Sequence, residues 1–225
     1  MTDVAKISGP AFGPASGAAA KRLVVLLHGW GADGNDLIGL APVWARLLPD
    51  TAFVSPHAPY PCDMGMGRQW FSLNDRNPAA MLAGTRAAAA TINGFLDDAL
   101  ARYGLDDSRL ALVGFSQGTM MSLYVAPRRA RACAGVLGYS GALIDGASLA
   151  AETVSRPLMM LIHGEADEIV PCVALADAAD RLAAVGISVE THLRPGLGHG
   201  IDEQGMILGG RFLERVLTVA TPVTG

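Results

Sequence analysis

Gly114-Phe115-Ser116-Gln117-Gly118 sets a serine in G-x-S-x-G spacing where the apolar run Leu110 to Val113 ends and a helical stretch begins. A turn this tight strains the serine backbone and lifts its hydroxyl above the sheet, and flanking glycines let neighbouring segments approach. Taken alone, a glycine-rich strand-to-helix turn with an incidental serine accounts for these five residues equally well. The catalytic reading needs a base, because a serine hydroxyl is a weak nucleophile until a positioned group takes its proton. Five histidines are available: His28, His57, His163, His192 and His199. His192 lies inside an expected strand and His163 at the end of another, both places where a satisfied structural histidine is common. His57 falls in a proline-rich loop, and His28 belongs to the glycine-rich motif treated below. His199 sits in Pro195-Gly196-Leu197-Gly198-His199-Gly200, between the last strand and the last helix, and completes the chain order serine, acid, histidine.

An imidazole acting as base needs an acceptor on its other nitrogen. Asp167, just beyond a buried strand in His163-Gly164-Glu165-Ala166-Asp167-Glu168, would project at the same sheet edge as Ser116. Glu165 and Glu168 read as solvated loop acids, and Asp145, one strand earlier, is the fallback. Attack on an acyl carbon also calls for two N–H donors aimed at the developing oxyanion. Gln117 follows the nucleophile and supplies the first; the loop Leu27-His28-Gly29-Trp30-Gly31-Ala32-Asp33-Gly34 supplies the second, with Trp30 as the candidate donor. The long segment Pro56 to Asp75 carries Met64, Met66, Trp70 and Phe71 among glycines. Connections of this length are usually functional, so Met66, Trp70 and Phe71 are expected in an apolar substrate pocket, with plain packing over the sheet edge as the alternative.

Such residues need a rigid sheet beneath them. Leu23 to Leu27 is apolar on both faces, as a buried parallel strand is, and Ala52 to Ser55, Leu110 to Gly114, Gly135 to Tyr139, Leu158 to His163 and Ser188 to Leu193 are further strands. Between them Asp36 to Leu47, Pro78 to Tyr103, Gln117 to Ala126, Cys172 to Val185 and Asp202 to Leu217 have helical periodicity. The alternation argues for a doubly wound, mostly parallel α/β sheet with helices on both faces. Residues 1 to 20, rich in small residues and proline, are expected as a flexible arm or edge hairpin, followed by one domain over 21 to 225.

Composition narrows the partners. With 51% hydrophobic and 17% charged residues in 225, the chain can fill one substantial core. A net charge of -4, without a basic run, gives no footprint for nucleic acid. Three cysteines without metal-ligand spacing argue against a disulfide framework or zinc site. No signal-peptide pattern and no membrane-length apolar run is present, so a cytoplasmic protein without stable membrane insertion is expected. No cofactor and no metal are expected, and a homodimer is compatible with all of this.

LHGWGADG, PHAP, GFSQG, HGEADEIVP and GHG, in that order from Leu27 to Gly200, resemble the landmarks of the phospholipase/carboxylesterase group of α/β-hydrolases, which includes bacterial carboxylesterases and acyl-protein thioesterases. The resemblance implies the α/β-hydrolase fold and a small-molecule ester or thioester substrate. It also matches Ser116, Asp167 and His199 to the triad, and Trp30 and Gln117 to the oxyanion donors. Trp30 departs from the small aliphatic residue often found there, and GRQWFSL supports a role for Trp70. Two rivals fare worse. A ligand-binding protein without turnover would not need the three triad residues, and a dienelactone-hydrolase-like enzyme calls for cysteine where Ser116 stands. No dinucleotide or Walker motif occurs at a strand-to-helix turn. The connection Ser140 to Arg156, about seventeen residues, is too short for an independent lid domain.

Overall fold

The computed structural model describes residues 5–144 and 148–218. Strand β1 (Ala11–Phe12) is followed by β2 (Arg22–Leu27), helices α1 (Gly34–Leu37) and α2 (Ala41–Trp44), and β3 (Thr51–Val54). A two-stranded hairpin, β4 (Tyr60–Pro61) with β5 (Arg68–Gln69), precedes α3 (Pro78–Tyr103) and β6 (Leu110–Phe115). Then come α4 (Gln117–Val125), β7 (Gly135–Tyr139), α5 (Leu149–Glu152), β8 (Leu158–Gly164), α6 (Val173–Ala184), β9 (Val189–Arg194) and α7 (Glu203–Thr218). The main sheet has the order β1-β3-β2-β6-β7-β8-β9 and is parallel except for β1, which runs antiparallel to β3. This is the α/β-hydrolase fold, with helices on both faces.

Side-chain alternation on the central strands divides the core into two layers. Leu23, Val25 and Leu27 face Ile92, Leu96 and Met121 from α3 and α4. Val24 and Leu26 face Trp44, Phe212 and Leu213 from α2 and α7. Both faces are covered, so the strands read as continuous apolar runs, and Leu23 to Leu27 are all 0% exposed.

The chain passes from β2 outward to β3 and then back to β6 on the other side of β2, so winding reverses between β2 and β6. Crevices in open α/β sheets form at the carboxyl ends of strands where the order reverses. Leu27 is in register with Gly114 there, so the two motifs rich in glycine emerge side by side.

Strand boundaries fall within a residue or two of those expected. The helix expected over Asp36 to Leu47 is broken instead: α1 starts at Gly34 under a cap from Asp33, whose carboxylate accepts from Asn35 N–H at 2.7 Å. A 3₁₀ turn over Ile38–Leu40 follows, and α2 restarts with Pro42 in its first turn, where the missing N–H costs nothing. A proline inside a continuous helix would remove one hydrogen bond and collide with the preceding turn. Among the described residues before β2, Ala11 and Phe12 pair with the edge of the main sheet. Beyond the β1–β3 pairing, Ser55 N–H donates to the Pro10 carbonyl and His57 N–H to the Ser8 carbonyl, both at 2.9 Å.

Candidate active site

Ser116 lies between β6 and α4 with φ 54° and ψ −116°, in the positive-φ region that side chains rarely adopt. The strained turn is held from outside: Ser116 N–H donates to the Tyr139 carbonyl at 2.9 Å, and Met120 N–H closes on the Ser116 carbonyl at 3.1 Å. The glycines are steric necessities here. A Cβ on Gly118 would collide with the Leu27 carbonyl oxygen, and one on Gly114 with the Gly118–Thr119 backbone. The serine is 8% exposed, and the position a Cβ would take on Gly29 is 3.4 Å from Ser116 Cβ, so the glycine-rich loop after β2 lies directly against the nucleophile turn.

Asp167 sits in the turn after β8, its side chain 0% exposed. Its Oδ1 accepts the N–H groups of Ile169 and Val170, both at 2.9 Å. Its Oδ2 accepts from His199 Nδ1 at 2.8 Å and lies 3.2 Å from His163 Nε2. A carboxylate only accepts, so His199 carries its proton on Nδ1 and leaves Nε2 free to take one. Burial, the largest influence on the Asp167 carboxyl, pushes its pKa up, but the His199 hydrogen bond and the two backbone N–H groups outweigh it and hold the group below the usual range. The His199 ring packs on Phe115, the residue before Ser116, with ring centroids 4.9 Å apart. Ser116 and His199 make no hydrogen bond to each other in this conformation; such contacts often tighten only when substrate binds.

The two expected oxyanion donors come from adjoining elements. Among the described residues, no acceptor within the chain takes the N–H of Trp30 or of Gln117. His28, buried under the loop, donates from Nδ1 to the Gly29 carbonyl at 2.7 Å and accepts Ala58 N–H on Nε2 at 3.0 Å. That pairing requires the neutral ring, and burial lowers the His28 pKa in the same direction.

This arrangement can perform acyl transfer, and the sequence comparison agrees. The family model described as Phospholipase/Carboxylesterase matches residues 14–217. The chain belongs to that family. Esterase YpfH of Escherichia coli K12 is 28% identical over 187 residues, covering 83% of this chain and 79% of that protein. Acyl-protein thioesterase 1 of Gibberella zeae is 28% identical over 196 residues, covering 78% of this chain and 82% of that one. Among solved structures, esterase PE8 superposes with a TM-score of 0.90 at 40% identity, over 95% of this chain and all (100%) of that one. The chain is thus a carboxylesterase-family serine hydrolase, with hydrolase activity of the carboxylesterase or thioesterase type.

Within this carboxylesterase-family fold the expected pocket residues separate. Met66 is 78% exposed and Met64 61% exposed at the tip of the β4–β5 hairpin. Trp70 is 0% exposed and Phe71 4%. Both are tied to the site's loops: Trp70 Nε1 donates to the His28 carbonyl at 2.9 Å, and the Gln117 side chain pairs with this segment, accepting Trp70 N–H at 3.0 Å and donating to the Phe71 carbonyl at 2.8 Å. A glycine-flanked tryptophan in a long loop looks the same in sequence whether it faces substrate or packs beneath the loop.

Sequence reasoning set His163 aside as structural, but its Nε2–H points at both the Val170 carbonyl, at 2.9 Å, and the candidate acid. The His163-Gly164…Asp167 spacing was the available signal. Glu165 and Glu168 are exposed, His192 is half-buried in β9, and Asp145 lies outside the described residues. A cavity of about 430 Å³ opens on the other flank of the glycine-rich loop, between Lys6, Ile7, Asp33, His57 and Arg68, and includes no triad candidate. The chemistry-bearing groups identify the site better than that volume does. Among the described residues, no helix is long and apolar enough to cross a membrane.

Proposed function

We propose that this protein hydrolyses carboxylic esters, and thioesters of similar size, with short to medium acyl chains through an acyl-enzyme on Ser116. His199 Nε2 takes the Ser116 proton as the oxygen attacks the acyl carbon, and Asp167 holds the imidazole in the required tautomer. The N–H groups of Trp30 and Gln117 receive the negative charge that develops on the carbonyl oxygen. Collapse expels the alcohol or thiol, protonated by His199, and water activated by the same imidazole releases the acid.

The observation that carries this reading is the 2.8 Å Asp167–His199 pair standing next to the strained Ser116 turn. The esterase and thioesterase relatives support the reaction class. The preference for short and medium chains rests on the short connection after β7, where the one helix among the described residues is the four-residue α5. A connection of about seventeen residues is too short to fold into a lid domain that would add apolar surface for a long chain. A series of p-nitrophenyl esters and acyl thioesters of increasing length, run with the wild type and with Ser116→Ala, tests the proposal. Turnover falls by about five to six orders of magnitude in the folded variant, with fluorophosphonate labelling lost. Persistent hydrolysis by purified Ser116→Ala would remove the serine from the mechanism.

A further inference from the structure

Four consecutive residues, Arg68 to Phe71, run past the oxyanion loop; the first three touch it and the last two touch Gln117. Gly31 N–H donates to the Arg68 carbonyl at 3.0 Å, and Arg68 N–H donates to the Ala32 carbonyl at 2.8 Å. Trp70 takes the His28 carbonyl, and Trp70 and Phe71 are clasped by the Gln117 side chain. This strap therefore connects the loop bearing one proposed donor to the residue bearing the other. Gln69 fills the remaining step. Its Oε1 accepts the Trp30 indole N–H at 2.7 Å and Asp63 N–H at 3.0 Å, while its Nε2 donates to Asp63 Oδ1 at 2.7 Å. Asp63 Oδ2 accepts in turn from the Ser72 hydroxyl at 2.7 Å and Leu73 N–H at 3.0 Å.

We infer that Gln69 is a positioning residue for the reaction: its amide fixes the Trp30 side chain, and through it the Trp30 backbone N–H, at the right separation from Gln117. The inference rests on the oxyanion roles proposed above. Its amide can be placed in only one orientation, since an indole N–H only donates and a carboxylate only accepts. Gln69 is 4% exposed, so this polar group is desolvated and its partners matter more than they would at the surface. Ser72 first and Gln69 second hold the Asp63 carboxyl below the usual range, so the anchor stays ionised through the pH range of the assay. Trp30 by contrast is only half-buried and follows Gly29 and precedes Gly31. Without the amide the indole loses its acceptor on the strap, and the glycines on either side let the Trp30 backbone shift. Oxyanion donors act only when aimed at the transition-state oxygen, so loss of this restraint affects turnover more than substrate binding.

The test uses three variants of the full chain, a soluble short-chain p-nitrophenyl ester, and an alkylboronic acid that forms a tetrahedral adduct with a reactive serine. Gln69→Leu is expected to lower kcat by about tenfold to a hundredfold with KM within about twofold, and to weaken boronic acid inhibition by the same factor. Trp30→Phe removes the indole donor together with part of the ring and is expected to reproduce that loss, which keeps the question decidable if Gln69→Leu does not fold. The reversed pair Gln69→Glu with Asp63→Asn restores every hydrogen bond with donor and acceptor exchanged between the two side chains, and brings kcat back to within about threefold of wild type. A role confined to folding predicts lower thermal stability with kcat and boronate affinity unchanged in the folded fraction, and that result overturns the inference. So does a folded reversed pair with no recovery. A wild type that neither hydrolyses the ester nor binds the boronate overturns the reading of the site itself, and this inference with it.

Discussion

Gly164→Ala probes how His199 is delivered to the site. Gly164 ends β8, and the loop carrying His199 crosses directly over it. A Cβ at that position would approach the carbonyl oxygens of both Leu197 and Gly198, falling short by about 0.7 Å of the 3.0 Å that real Cβ atoms respect. Neither obstacle is a flexible side-chain end. Both are backbone, and Ala166 N–H ties down the Leu197 carbonyl at 2.9 Å. The strand beneath is registered with β9 from Met159 to Gly164, so the loop has to yield. A displacement of that size at residues 197 and 198 is passed to His199, and misplacing a reacting group by about 1 Å costs on the order of a hundredfold in rate. The expectation is a folded variant whose kcat drops about thirtyfold to a hundredfold. Stopped-flow acylation with a chromogenic ester, with urea unfolding as the stability control, measures both. Acylation at the wild-type rate in Gly164→Ala would refute the claim that close approach at this glycine sets the base.

Three further outcomes are expected. Asp167 has a folded pKa below its unfolded value, so its contribution to stability is complete above the ordinary carboxyl pKa of about 3.9 and is lost as pH falls through the lowered value. Asp167→Asn should remove that acid-side portion of the urea stability profile and reduce kcat by about four orders of magnitude, because the His199 tautomer is no longer dictated. Trp70→Phe leaves the buried His28 carbonyl without its donor and is expected to cost about 1–3 kcal/mol in urea unfolding, with kcat falling alongside. Finally, rate against substrate concentration should follow a single hyperbola across the solubility limit of a medium-chain ester, since the connection after β7 is too short for a lid domain that an interface could open; a jump at emulsion onset would contradict that reasoning.

The strands were legible in the sequence because a sheet covered on both faces leaves uninterrupted apolar runs such as Leu23 to Leu27, and the serine turn because its glycines are imposed by nearby backbone. The break at Pro42 was equally visible in principle, but the periodicity of Asp36 to Leu47 continued across it and outweighed the proline. The polar braces were hidden for another reason. Trp30 and Gln69 are 39 residues apart, and Trp70 and Gln117 are 47 apart, so no local pattern records that they meet. An exposed methionine and a buried tryptophan in one glycine-rich loop have the same hydrophobic signature until the strap's path is known. His163 reads as a structural histidine and its 2%-exposed ring is satisfied by the Val170 carbonyl, but its position beside the candidate acid is set by the turn after β8 and not by any spacing weighed in the sequence.

The order of strands separates two kinds of work along the chain. Everything proposed to stabilise charge at the acyl carbon, from Trp30 to Gln117, is carried by the adjacent strands β2 and β6; the groups proposed to move the proton, Asp167 and His199, come later in the chain and hang from β8 and β9 toward one end of the sheet. On that proposal the chain up to Tyr139 contains the nucleophilic oxygen and the donors for its oxyanion but no group to regenerate the oxygen. A fragment ending near Tyr139, were it held in shape, would therefore act as a slow, single-use acceptor of acyl groups, and the remaining strands are what turn that acceptor into a catalyst.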